Sequence, residues 1–308
     1  MKQIFLMGPT ASGKTGIATR LFQELKLQLV SVDATQIYCD CNIGSAKLPV
    51  DELKKYPHEL VNIISPCDHF SVDHFLNHYQ QILNQLNEKG LSPLLVGGTM
   101  MYFNAILNPL DDIPRSSQEV RRHVEELVNN NGLDWLATKV KEVDSLSKIA
   151  KTDKQRLMRS YEVFLISNQP LSSFYNTTPK QDSIHDKDIL KIALIPNDRK
   201  KLHDAISLRT QTMLEEGLVG EVKELFVKYP QLNWNSNSMR SIGYRQVGMF
   251  LRGEIKQEEL FDKILFATRQ LAKRQITWLR SMQDIQIYDP FEINVYQKIN
   301  DSVKQFIN

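Results

Sequence analysis

The sequence predicts an α/β protein with a parallel-sheet core and a mainly helical insertion. Three observations carry that reading. Short apolar runs alternate with helical apolar spacing through the first hundred residues, the pattern of βαβ units whose strands are buried on both faces. A glycine-rich octet, Gly8-Pro9-Thr10-Ala11-Ser12-Gly13-Lys14-Thr15, joins the first apolar run to the first helical stretch. Beyond Pro109 the strand pattern lapses and helical spacing takes over until it returns at residues 189–195.

The elements follow in order. Ile4-Phe5-Leu6-Met7 is the first strand, and Ile17, Ala18 and Leu21 begin a helix directly after the octet. Gln28-Leu29-Val30-Ser31-Val32 reads as a second strand, and Leu60-Val61-Asn62-Ile63-Ile64 as a further short one. Residues 75–86 are helical, and Leu94-Leu95-Val96 is a parallel-type strand ending in Gly97-Gly98-Thr99. In the insertion, Ser116-Ser117-Gln118-Glu119 resembles a capping box opening a helix through Val128, and Asn129-Asn130-Asn131-Gly132 stops it. Residues 154–166 are helical, and a polar loop is expected over 176–188. The last third reads as a helix over 199–226, a polar loop over 234–241, a helix from Gly243, a long final helix over 260–282 and a late strand at Ile285-Gln286-Ile287-Tyr288. The last eighteen residues carry no clear signal. This places the core in residues 1–110 and 188–308 and the helical insertion in 111–187.

The chain has 308 residues, 42% of them hydrophobic and 24% charged, enough apolar material for a large core. Its net charge of +2 excludes a globally basic nucleic-acid binder, so any such affinity comes from local patches. No apolar run has the length of a signal or membrane segment, and the expectation is a cytoplasmic protein. Three cysteines, Cys39, Cys41 and Cys67, make no disulfide framework. Cys67, His69, His74 and His78 have partial zinc spacing but lack a second Cys-x-x-Cys element.

The octet has the G-x-x-x-x-G-K-T spacing of a phosphate cradle, the P-loop. Gly8 and Gly13 let successive N–H groups turn inward, and the following helix adds its positive end. Lys14 supplies an ammonium, and the Thr15 hydroxyl is a ligand for Mg²⁺. Parallel strands bring their C-terminal ends to one rim, so Lys14, Asp33 and Thr99 are expected together. Asp33, just past the second strand, suits holding Mg²⁺ through water or accepting a proton, and a capping or turn role is its bland alternative. Many P-loop NTPases carry an acid where Gly97-Gly98-Thr99 stands, which speaks against an ordinary ATPase and against the competing reading, a small-molecule P-loop kinase.

Basic residues recur later. Arg156 and Arg159 share a helix face, and Arg269, Lys273 and Arg280 fall within about 40° on a helical wheel. Arg240 and Arg245 flank Ser241-Ile242-Gly243-Tyr244. Such sets suit nucleic-acid phosphates, although most basic helix faces are simply solvated.

Taken together the motifs resemble the bacterial tRNA dimethylallyltransferases, also called tRNA isopentenyltransferases. The likeness runs through the P-loop, Asp33-x-x-Gln36-x-Tyr38, Ile43-Gly44-Ser45-Ala46-Lys47, Pro57-His58-x-Leu60 and Val96-Gly97-Gly98-Thr99-Met100-Met101-Tyr102. It continues in Asp153-x-x-Arg156-x-x-Arg159-x-x-Glu162-Val163, Leu202-His203 with Arg209, Ile242-Gly243-Tyr244-Arg245-Gln246, and the stretch from Thr268 to Arg280.

The resemblance implies a P-loop kinase-like core that moves a dimethylallyl group from dimethylallyl diphosphate to N6 of the adenosine 3′ to the anticodon. The tRNAs are those reading codons that begin with U. It implies that Gly8, Pro9, Thr10, Ala11, Ser12, Gly13, Lys14 and Thr15 hold the diphosphate, with Mg²⁺ on Thr15, while Asp33, Thr99 and Arg209 are catalytic. ATP fits the same loop, though the implied reaction does not consume it. For tRNA contact it implies Asp33, Ala34, Thr35, Gln36, Thr99 and Arg121, then Gln155, Arg156, Leu157, Met158 and Arg159. It adds Arg240, Ser241, Ile242, Gly243, Tyr244 and Arg245, and finally Lys273, Arg274, Gln275, Ile276, Thr277, Trp278, Leu279 and Arg280. The helical insertion is implied to close on the anticodon loop, and no obligate protein partner is expected. Two departures stand out: Ala34 replaces the family's usual Ser, and Ser45 its usual Thr.

Overall fold

The computed structural model describes residues 1–108, 113–175 and 186–308. In chain order the strands and helices are β1 (Gln3–Met7), α1 (Lys14–Glu24), β2 (Leu27–Val32), α2 (Val50–Lys55), β3 (His58–Glu59), α3 (Val72–Lys89), β4 (Ser92–Gly97) and α4 (Met100–Leu107). Next come α5 (Gln118–Asn131), α6 (Leu133–Val143), α7 (Lys154–Ser167), β5 (Ile189–Leu194), α8 (Arg199–Glu215) and α9 (Leu218–Lys228). The chain continues with α10 (Tyr244–Leu251), α11 (Gln257–Ser281), β6 (Ile285–Tyr288) and α12 (Val295–Ile307). Two compact units result, Met1–Ile106 with Ile184–Asn308, and Leu107–Ser183.

The first unit holds a six-stranded sheet in the order β3-β2-β4-β1-β5-β6, every pair parallel. Side chains alternate across it, as a period of two requires. On one face Ile4, Leu6, Leu29, Leu94, Val96, Ile192 and Leu194 pack with Ile17 and Leu21 of α1 and with Ile299 and Val303 of α12. On the other, Phe5 meets Phe103 of α4 at 5.2 Å between ring centroids, and Phe75 of α3 stacks on Tyr102 at 4.4 Å. Burial on both faces explains why the strands read as continuous apolar runs.

Register fixes the rim. Met7 pairs with Gly97 and with Ala193, and Gly97 also pairs with Val32, so β1, β2, β4 and β5 end level with one another. Gly97 is required by this closeness, since a Cβ there would lie 2.0 Å from the Val32 carbonyl oxygen.

The second unit is helical. Val124, Val128, Leu136, Val140 and Leu157 form a small core among α5, α6 and α7. The Ser117 hydroxyl accepts from the Val120 N–H to cap α5, so the cap is one residue later than the expected box.

Several expectations are corrected. Residues 60–64 are not a strand: Leu60 and Asn62 have φ of 65° and 58°, which break an extended path. Pairing occurs instead at His58–Glu59 and at a single Tyr38–Ile64 bridge. The helix expected over 199–226 is two, parted at Gly217 with φ 96°. α6 was not anticipated, and α11 is not the last helix, because α12 follows with Val295, Ile299 and Val303 buried. The expected boundary near residue 110 and most of the 176–188 loop lie outside the described residues.

Candidate active site

The site grows out of the sheet rim. Between β1 and α1, Ala11 and Gly13 take φ of 61° and 74°, turning the loop back on itself. The Ser12 hydroxyl donates to the Pro9 carbonyl at 2.8 Å, and Lys14 Nζ donates to the same oxygen at 2.7 Å. That carbonyl holds the ammonium over the loop. A Cβ at Gly8 would sit 2.7 Å from Ser12 Oγ, so the turn admits only glycine there without rearrangement.

Burial, helped by the nearby Arg209 cation and partly offset by Asp33, lowers the Lys14 pKa to about 7. Arg209 reaches the loop from α8 and donates to Thr10 Oγ1 at 3.1 Å. Its own pKa is lowered by burial and supported by Asp33, yet a guanidinium remains charged at any physiological pH. Two basic side chains thus share the loop, and their repulsion, which disfavours the charged form of Lys14, is what a bound anion would relieve.

Asp33 follows β2. Its Oδ1 accepts from the Thr35 and Gln36 N–H groups at 2.8 and 3.2 Å, so the carboxylate does make a turn. Among the described residues its Oδ2 has no hydrogen-bond partner. Thr99 follows β4, its N–H donating to the Val32 carbonyl at 3.2 Å and its hydroxyl accepting from the Ala34 N–H at 3.0 Å. Ala34, which has no hydroxyl of its own, thus meets Thr99 through its backbone N–H.

These groups open into one cleft of ≈ 650 Å³, lined by Thr10, Lys14, Thr15, Asp33, Thr99 and Arg209. Ala34, Thr35, Gln36, Arg240, Ser241, Ile242, Gly243, Arg274, Gln275 and Trp278 line it too, with Met100, Met213, Ile264 and Leu271 adding apolar wall. A polyanion seat, a carboxylate and an apolar wall in one space suit the transfer of an apolar group off a diphosphate.

A family model described as "IPP transferase" matches residues 36–282. Curated relatives named tRNA dimethylallyltransferase, from Legionella pneumophila (strain Paris) and Nitrosospira multiformis, are each 38% identical. The first match covers 96% of this chain and 95% of the relative, the second 96% and 91%. The chain belongs to the IPP transferase family. Among solved structures it is similar to the tRNA isopentenylpyrophosphate transferase of Bacillus halodurans, with 29% identity, TM-score 0.70 and 99% and 96% of the two chains covered. A eukaryotic dimethylallyltransferase described as acting on tRNA shares the fold, with TM-score 0.83 at 23% identity and 99% and 79% coverage. The fold is therefore that of this transferase family, with a P-loop NTPase-like core.

Not every residue that the resemblance implies for tRNA contact lines the cleft. Tyr244 and Leu279 are buried, and Leu157 is buried in the second unit's core. A run of consecutive residues winds around its helix, so it cannot all face one ligand. Tyr244 instead donates its hydroxyl to Glu221 at 2.7 Å, and Ile276 packs with Leu202, Ile206 and Leu265. Lys273, Thr277, Arg280 and Arg245 are exposed but outside the cleft lining. In the second unit Arg121 is exposed, as are Gln155 and Arg156, and Arg156 pairs with Asp153 at 3.3 Å. Arg159 donates to Ser116 Oγ and the Pro114 carbonyl at 2.6 and 2.8 Å. It is thereby committed in part to holding that segment.

Sequence reasoning missed Glu221. Its carboxylate accepts from the Asn42, Ile43 and Gly44 N–H groups at 2.9, 2.7 and 3.2 Å, fixing the Gly44-Ser45-Ala46 wall of the cleft. A glutamate on an amphipathic helix carries no local signal of such a role.

Proposed function

We propose that the protein moves a dimethylallyl group from dimethylallyl diphosphate to N6 of the adenosine 3′ to the anticodon, in tRNAs reading codons that begin with U. One observation carries this reading. The cleft joins two basic side chains at the P-loop, Lys14 and Arg209, with a carboxylate, Asp33, whose second oxygen has no hydrogen-bond partner among the described residues. The names of the relatives supply the chemistry that uses all three.

In the proposed reaction the adenine amine attacks the allylic carbon, the carbon–oxygen bond breaks, and its electron pair leaves with the diphosphate. Lys14, Arg209 and the loop N–H groups stabilise that leaving charge. Asp33 Oδ2 takes the proton the amine loses. Thr99 orders the Asp33 turn through Ala34. Thr15 heads α1 and lines the cleft, and its hydroxyl is a hard oxygen of the kind Mg²⁺ combines with substrate phosphates and water. The donor set fits that ion, which when bound would neutralise diphosphate oxygens.

The target base must leave the anticodon stack to enter. Thr35, Gln36, Arg240 to Gly243, Arg274 and Trp278 are the proposed cleft-side RNA contacts, with Lys273, Arg245 and Arg280 on nearby phosphates. The insertion, residues 111–187, is assigned to closing on the anticodon loop through Arg121 and residues 155–159. Among the described residues no helix is long and apolar enough to cross a membrane, and a cytoplasmic site of action is proposed, without an obligate protein partner. A phosphoryl-transfer reading is not favoured, because β4 ends in Gly97-Gly98-Thr99 without an acid.

Incubation with labelled dimethylallyl diphosphate, Mg²⁺ and unmodified tRNA tests the proposal. Label in tRNA is expected; phosphorylation of a small acceptor from ATP, with no label in tRNA, would overturn it.

A further inference from the structure

Gln275 lies on α11, only 6% exposed, yet its side chain touches two loops from the far end of the chain. The Thr10 N–H donates to its Oε1 at 2.9 Å, and its Nε2 donates to the Gly98 carbonyl at 2.8 Å. The orientation of the amide is fixed by its partners, since an N–H only donates and a carbonyl only accepts. Space confirms the fit. A Cβ at Gly98 would lie 2.4 Å from Gln275 Nε2 and 3.3 Å from the Gly8 carbonyl oxygen, so the side chain fills the gap between the two turns.

Each turn belongs to a different half of the reaction. Thr10 is in the loop assigned to the leaving group and also receives Arg209. Gly98 precedes Thr99, whose hydroxyl meets the Ala34 N–H beside Asp33. We propose that Gln275 is a positioning residue, a spacer that sets the distance between the diphosphate seat and the Asp33–Thr99 side, rather than an RNA contact. The inference rests on the transferase reading. Both ends of its amide are already used inside the protein, which leaves little for a base or phosphate.

The spacing matters because transfer needs amine, carbon and leaving oxygen aligned, and a displacement of about 1 Å costs on the order of a hundredfold in rate. Each loop alone would still bind its ligand. The expected signature is a fall in kcat with KM and tRNA affinity nearly kept.

The test compares Gln275→Met and Gln275→Glu with wild type. It reads single-turnover transfer to tRNA at saturating substrates, tRNA affinity by filter binding and thermal midpoint. Gln275→Met, similar in length but without donor or acceptor, should lose about a hundredfold in the transfer step, with tRNA affinity within about twofold. Gln275→Glu adds a readout that general destabilisation would not produce. Protonated, the introduced carboxyl can accept from Thr10 and donate to Gly98; ionised, it repels the Gly98 carbonyl. Burial favours its neutral form, so the ratio of variant to wild-type rate should rise as pH falls.

A loss of tRNA affinity matching the loss of rate would make Gln275 an RNA contact and overturn the proposal. So would wild-type rates in Gln275→Met, or a pH-independent ratio in Gln275→Glu. Wild-type protein that leaves tRNA unlabelled would remove the transferase reading and this inference together, an outcome visible in the same assay.

Discussion

Arg209 donates to the Thr10 hydroxyl at 3.1 Å across 199 positions of sequence, placing a second cation beside Lys14 at the P-loop. With Lys14 at about pKa 7, an arriving diphosphate raises that value and proton uptake accompanies binding above pH 7. Inorganic pyrophosphate should therefore bind progressively more weakly as pH rises above 7. Calorimetry in buffers of different ionisation enthalpy should show uptake approaching one proton near pH 8. Arg209→Met removes a charge that lowers Lys14, so the midpoint moves upward.

The same shift bears on stability. In the folded protein Lys14 releases its proton near pH 7, against 10.5 for the ordinary side chain. Between these values the unfolded chain binds more protons, so this group makes stability rise with pH from about 7 to about 10.5. Below pH 7 its unfavourable contribution is constant. Lys14→Met should flatten that part of the profile in denaturant titrations, relative to wild type.

One substitution separates the turn that Asp33 makes from the proton-accepting role proposed for it. In Asp33→Asn the remaining carbonyl oxygen can still accept from Thr35 and Gln36, while the base is gone. Turnover should fall roughly 10²- to 10⁴-fold, with tRNA affinity and thermal midpoint nearly unchanged. Asp33→Ala should lose the turn as well, adding about 1 kcal/mol of instability.

Two glycines predict opposite outcomes. Gly97→Ala forces a Cβ against the Val32 carbonyl at 2.0 Å and should destabilise by about 3 kcal/mol or more. Gly220→Ala, in α9 with no atom beyond its own stretch of helix within 4 Å of the new methyl, should stabilise by about 0.5 to 1 kcal/mol. Urea unfolding distinguishes them.

Trp278 is 42% exposed and lines the cleft with Arg274. Trp278→Ala should weaken tRNA binding by about 1 to 3 kcal/mol through lost stacking, with an unchanged salt slope. Arg274→Ala should instead reduce the slope of log affinity against log salt, by about 0.7 for each lost single-strand phosphate contact. Filter binding between low and moderate salt reads both.

Local pattern made the sheet legible. Strands buried on both faces announce themselves as apolar runs, and the octet specifies its own loop, so the rim carrying Lys14, Asp33 and Thr99 followed from parallel topology. Features set by distant partners did not show. Glu221 meets Asn42 and Gln275 meets Thr10 across 179 and 265 positions, and neither side chain differs in sequence from a solvated one. α12 was missed although Val295, Ile299 and Val303 are spaced four apart, because a narrow apolar stripe among polar residues becomes a signal only when a partner face is known. The break at Leu60 depends on a positive φ at a leucine, a residue with no preference for it, although nearby Asn62 does favour that region.

The strand order has a consequence for synthesis. β1 emerges first but lies between β4 and β5, so its second edge stays open until residues 189–194 have left the ribosome. α12, which covers the same apolar face through Ile299 and Val303, arrives later still. A nascent chain stalled within the insertion would carry Phe5 and Leu6 on an unpaired edge, a template for aggregation. The protein's most local motif is thus built into the part of its fold that is completed last.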